Sequence, residues 1–140
     1  MQCLIIEPSA EEDLDEIWES GLPGAEDVVA TIEVLLEEIA SDRDFLARMH
    51  QPHVRRLDEP SADTDRVIGL WKAGYNILRL KVWDNGALVP YRVIYAYDPR
   101  HDAFHVLAIA PRENCYDDKH PRTQRILRDY YSLGIPAFGK

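Results

Sequence analysis

Leu78-Arg79-Leu80-Lys81-Val82 alternates apolar and basic residues without a break, and Asp84-Asn85-Gly86 follows almost at once. Successive side chains of a strand point to opposite sheet faces, so this stretch predicts a strand with one apolar face and one cationic face. Asn-Gly tolerates the positive φ angles of a type I′ turn, so the chain must double back there as a hairpin. The strand is expected over Tyr75 to Trp83, with Val67 to Trp71 as a candidate strand before it. Tyr91 to Tyr97 and Phe104 to Ala110 follow, joined by Asp98-Pro99-Arg100-His101-Asp102. Both are apolar on both faces for much of their length, as suits the centre of a sheet covered on two sides. A two-residue turn pairs Asp84 with Ala87, so that paired positions sum to 171 and Arg79 falls opposite Arg92. Pro90 is where a bulge would shift that register.

The segments before and after the sheet read as helices. Leu4-Ile5-Ile6, closed by Pro8, is a short first strand. Ser9 and Glu12 form an S-x-x-E capping signature, and Leu14, Ile17 and Trp18 follow at helical spacing until Gly21 and Pro23. A second helix is expected over 25–40, with Val28, Ile32, Leu35, Leu36 and Ile39 on its inner face. Residues 41–66 show no periodicity and read as a polar loop. Pro121 opens a last helix, Ile126, Leu127 and Tyr130 face inward, and Gly134 ends it. The expected architecture is α+β: an N-terminal strand and helical hairpin on a mainly antiparallel sheet of four or five strands, with a C-terminal helix.

With 140 residues, 46% of them hydrophobic, the chain is expected to form a single domain over 1–140 with a real core. Cys3 and Cys115 match neither a disulfide framework nor a metal spacing, which suits a reducing compartment. The start of the chain lacks a basic segment followed by a long apolar one, and no apolar run reaches membrane-spanning length, so a cytoplasmic protein with no membrane partner is expected. His50 and His53 flank Pro52 without further ligands nearby, and no zinc, phosphate-loop or dinucleotide pattern occurs, so neither metal nor cofactor is expected. The net charge of −9 conceals a division. Residues 1–65 hold 18 acids against 4 bases, and residues 66–140 hold 7 acids against 12 bases. Such asymmetry points to one face that meets an anion.

The order β-α-α-β-β-β-α, together with YRVIYAYD (Tyr91 to Asp98) and FHVLAIAPRENCY (Phe104 to Tyr116), resembles the RelE/ParE toxin family. In that pattern a basic residue follows an aromatic on one strand, and an arginine then an aromatic stand just past the next. The resemblance implies that Arg92, Arg112 and Tyr116 match the family's catalytic positions and that Arg79 and Lys81 match its basic strand. It implies a toxin of a type II toxin–antitoxin pair, with a cognate antitoxin as partner and a homodimer left open. Three activities follow from the family: cleavage of mRNA on the ribosome, inhibition of DNA gyrase through protein contacts, or an interaction module without chemistry.

RNA cleavage without a metal or cofactor uses the 2′-hydroxyl against the adjacent phosphate. It needs a proton acceptor, positive charge around the phosphorane and a donor for the leaving oxygen. Arginine suits the second role because its planar fork contacts two phosphate oxygens and stays charged. Lys81 is the candidate base, and Tyr116 or His120 the candidate donor, histidine having the ordinary pKa nearest neutrality. Arg122, Arg125 and Arg128 recur every third residue on the last helix and form a candidate RNA-phosphate stripe.

Overall fold

A computed structural model describes residues 2–114 and 119–137 of the chain. The first strand, β1 (Cys3–Ile6), leads into helix α1 (Pro8–Glu19). Pro8 occupies the first turn and Glu7 is the extended N-cap, with no side-chain cap bond. The expected Ser9 capping box is therefore not used: proline's fixed φ starts the helix two residues earlier, where its missing N–H costs nothing. Helix α2 (Ala25–Ala40) has the expected bounds. Gly21 and Gly24, at φ 74° and 76°, make the tight turn between the two helices.

Residues 41–66 are not a plain loop. They contain α3 (Arg43–Arg48), β2 (Arg55–Arg56) and β3 (Ser61–Arg66). Asp42 caps α3 by accepting the Phe45 N–H at 3.1 Å. The strand β3 reads Ser-Ala-Asp-Thr-Asp-Arg, nearly without apolar residues, because only Ala62 and Thr64 face the core. Val67 to Trp71, expected as a strand, gives instead α4 (Ile68–Lys72). A short apolar run does not distinguish strand from helix by periodicity, and here Val67 and Leu70, three apart, turn inward together.

The remaining elements are β4 (Ile77–Asp84), β5 (Ala87–Leu88), β6 (Tyr91–Asp98), β7 (Ala103–Pro111), a 3-10 turn over Arg112–Asn114, and α5 (Pro121–Ser132). The sheet runs β1-β7-β6-β4-β3-β2, with β5 added onto β4. Its seven strands exceed the four or five expected, because the stretch before β4 contributes two and the hairpin splits off one. β1 lies parallel to β7, and every other pairing is antiparallel. The architecture is α+β, with a helical hairpin on one face and a C-terminal helix on the other.

Two apolar cores result. The first joins Leu14, Ile17, Ile32, Leu35, Leu36 and Ile39 of the hairpin to Leu78, Leu80, Val82, Val93 and Tyr95. The second joins Ile77, Ile94, Ala96, Ala108 and Ala110 to Ile126 and Tyr130 of α5 and Leu70 of α4. Strands β6 and β7 are covered on both sides, which is why their sequences are continuously apolar. Each large aliphatic chain so buried stabilises by about 1.5–3 kcal/mol. Trp18, at helical spacing from Leu14, is 48% exposed, since Ala10, Asp13, Leu14 and Ile17 form the buried stripe of α1.

Candidate functional site: the basic face of the sheet

The alternation of β4 sends Leu78, Leu80 and Val82 to the hairpin core and leaves Ile77, Arg79 and Lys81 on the face toward α5. Asn85 and Gly86 adopt φ 51° and 84°, the positive values that a type I′ turn requires. Next to the turn, Asp84 pairs with Ala87 and Trp83 with Leu88, the expected register. Farther out, Leu80 pairs with Val93 and Arg79 with Ile94, so the sum of paired positions has moved from 171 to 173. Val89-Pro90 supplies the two extra residues, as proline cannot donate to a ladder. Arg79 is therefore diagonal to Arg92 and not opposite it. A shift of two preserves the face, because side chains alternate with period two. Arg79, Lys81 and Arg92 thus share one side of the sheet.

Two acids share it with them. Asp63 pairs with Lys81, and Asp65 with Arg79, across β3 and β4. The Arg79 Nη2 stands 3.3 Å from Asp65 Oδ2, and its Nε and Nη1 have no hydrogen-bond acceptor. Arg79 is 6% exposed and Arg92 only 1%. Arg92 Nη1 donates to the Val89 carbonyl at 3.3 Å, inside the bulge. Both guanidinium groups lie beneath the surface, Arg79 against the Asp65 carboxylate and Arg92 against the Val89 carbonyl. Lys81 is half-buried and Arg112 is exposed. Arg112 starts the 3-10 turn at the end of β7, and its backbone N–H donates to Pro90 O at 3.1 Å. Since Arg92 pairs with Ala110, the Arg112 backbone adjoins the same bulge.

His120 is the N-cap of α5, its Nδ1 accepting the Arg122 N–H at 3.1 Å. A ring nitrogen that accepts is unprotonated, so the neutral imidazole carries its proton on Nε2 and keeps a donor available. Tyr116 lies outside the described residues.

The arginines of α5 do not form an open stripe. Arg122 Nη1 meets Asp13 Oδ1 at 2.6 Å, and Arg125 grips the same carboxylate with both terminal nitrogens at 2.7 Å. Only Arg128 of the three is fully exposed. Asp13 is 2% exposed and also accepts the Ile109 N–H at 2.9 Å. Sequence reasoning missed this carboxylate, although one signal was there: Asp13 interrupts the apolar stripe Ala10, Leu14, Ile17 at helical spacing. Asp63 and Asp65 were missed because they sit in a stretch without apolar alternation.

Among the described residues no group of His, Cys, Asp and Glu is arranged to hold a metal ion. His50 instead stacks on Tyr97 with ring centroids 5.3 Å apart. No helix among them is long and apolar enough to cross a membrane. Comparison of the chain with protein families, with curated proteins and with solved structures finds no match.

Proposed function

We propose that this chain is the toxin component of a type II toxin–antitoxin system, of the RelE/ParE kind, that cleaves mRNA on the ribosome. The observation that carries the reading is the sharing of one sheet face by Arg79, Lys81 and Arg92, with Arg112 exposed at the adjoining strand end. Asp63 and Asp65 offset part of that charge from β3, and an anion bound beside the exposed Arg112 would offset more.

In this reading Lys81, in its neutral amine form, takes the proton of the 2′-hydroxyl as O2′ bonds to phosphorus. Arg112 contacts the phosphate oxygens, while buried Arg79 and Arg92 supply positive potential from beneath without direct contact. His120 acts here as the imidazolium, its Nδ1 protonated and released from the Arg122 N–H, and gives its Nε2 proton to O5′ as the P–O5′ bond breaks, leaving a cyclic phosphate. Electrostatic stabilisation of the phosphorane is the largest contribution. The cytoplasm, a cognate antitoxin, the ribosome and mRNA complete the setting.

Induced expression of the wild type beside Arg112→Ala tests the proposal. The wild type arrests growth and the variant does not; equal arrest by both removes the assigned chemistry.

A second reading is favoured by the burial of Arg92 at 1% exposure, which keeps this matched catalytic position from direct contact with RNA. The domain then acts by binding DNA gyrase and performs no reaction. Unaffected supercoiling at saturating protein eliminates that option. Harmless overexpression with neither effect leaves the interaction module.

A further inference from the structure

Residues 1–42 hold 13 acids and no Lys, Arg or His. Asp13 is neutralised by two arginines and Glu38 by Arg56, but nine others on α1 and α2 are exposed: Glu11, Glu12, Asp15, Glu16, Glu19, Glu26, Asp27, Glu33 and Glu37. Three large apolar side chains on this hairpin are not used by the core, Trp18, Leu22 and Val34, and the first two share a cleft. Trp18 is 48% exposed at the end of α1, and Leu22 is 60% exposed in the turn that follows. They line a cleft of about 260 Å³ together with Glu26 and Asp27 at the start of α2. The hairpin packs on the sheet face opposite Arg79 and Arg92, so this surface is separate from the basic one.

Scattered exposed apolar residues are ordinary, whereas a tryptophan and a leucine sharing a charged-rimmed cleft mark an interaction site. Tryptophan is the residue most enriched among those that dominate binding energy. The charge of the rim selects the occupant. Nucleic acid and anionic membrane surfaces are repelled. A second copy would set the acidic hairpin against itself, because a two-fold contact brings the same patch together from both sides. We propose that the outer surface of the α1–α2 hairpin, centred on Trp18 and Leu22, docks a cationic amphipathic helix of a partner protein. Its apolar stripe fills the cleft, and its lysines or arginines meet the acids along the rim. This inference does not depend on the toxin reading.

The probe is a fluorescein-labelled synthetic peptide of leucine and lysine at amphipathic helical spacing, and its counterpart with glutamate replacing lysine. The full chain is titrated against each by anisotropy, as wild type, as Trp18→Ala/Leu22→Ala and as Leu22→Ser alone. The wild type binds the lysine peptide and not the glutamate one. The double variant weakens binding about tenfold, the loss typical of a central aromatic anchor. These variants leave every charge in place, so diffuse attraction between an acidic protein and a basic peptide gives equal binding by all three and overturns the proposal. Leu22 lies in an exposed turn, so Leu22→Ser keeps the test valid should the double variant unfold; it weakens binding several-fold. A wild-type dimer in sedimentation that Leu22→Ser converts to monomer assigns the patch to a second copy and also overturns it.

Discussion

The Asp13 carboxylate on the first long helix receives both terminal nitrogens of Arg125 on the last, at 2.7 Å each. The two helices lie on opposite faces of the sheet, so this contact passes around its edge. It does so where β1 stops: β1 pairs with β7 only as far as Val106, after which the outer edge of β7 has no neighbouring strand among the described residues. Asp13 accepts the Ile109 N–H there, and Arg125 donates to Leu107 O at 3.4 Å. One acid and one base do for that edge what a further strand would do, and they close it to strand addition.

Removing the carboxylate leaves two guanidinium groups and a backbone N–H without their acceptor. Breaking a buried ion pair from one side costs about 3–5 kcal/mol. Asp13→Ala is therefore expected to lose that much stability in urea unfolding monitored by circular dichroism. Amide exchange is expected to quicken in α5 and at Ile109. Unchanged unfolding would mean that the helices are held by the apolar core alone.

Acid sensitivity is expected at the β6–β7 turn. Asp98 is almost fully buried and accepts from Arg100 Nε, Arg100 Nη2 and His101 Nδ1, each at 3.0 Å. Chiefly through the Arg100 contacts, its carboxyl is held well below the usual carboxylate range. A depressed folded pKa gives stability that is present above the unfolded value, near 3.9, and is lost as the pH falls below it. Arg100 also donates to Leu133 O at 3.2 Å, so the loss loosens the end of α5. Urea midpoints measured from pH 7 down to about pH 2 should fall for the wild type. Asp98→Asn, costing about 2 kcal/mol at pH 7, should flatten that dependence.

Arg92 and Arg112 part company in their contribution to folding. Arg92→Ala strands the Val89 carbonyl within the bulge and is expected to cost about 1–3 kcal/mol. Arg112→Ala, at an exposed position, should stay within about 0.5 kcal/mol of the wild type. Thermal unfolding of the two variants side by side measures the difference. A stability loss at Arg112 equal to that at Arg92 would contradict the assignment of Arg112 as a reachable surface group.

How far the sequence discloses this arrangement depends on which physical signal each part carries. Helix α2, the Asn85-Gly86 turn, the two-sided apolar strands and the Pro121 helix start all follow from local periodicity or turn chemistry, and all are present. The face shared by Arg79, Lys81 and Arg92 is also legible, because a two-residue slip keeps parity. The pairing itself is not, since the size of a bulge at Val89-Pro90 depends on packing of the whole sheet. Strand β3 escapes because its pairing with β4 relies on Asp63 and Asp65 standing beside Lys81 and Arg79, a long-range relation without an apolar pattern. Arg122 and Arg125 show the same limit. Their spacing says that they share a helix face, but only tertiary structure says that Asp13 occupies it.

The central claim, that the basic face handles an RNA phosphate, is tested most directly by mapping cleavage of a defined mRNA in a purified translation reaction. Wild type, Arg112→Ala and Lys81→Ala are added in turn at equal concentration. The expected result is new 5′ ends at positions occupied by translating ribosomes with the wild type, and their loss with both variants. Intact mRNA with the wild-type protein, or the same cut sites with Arg112→Ala and Lys81→Ala, would contradict it.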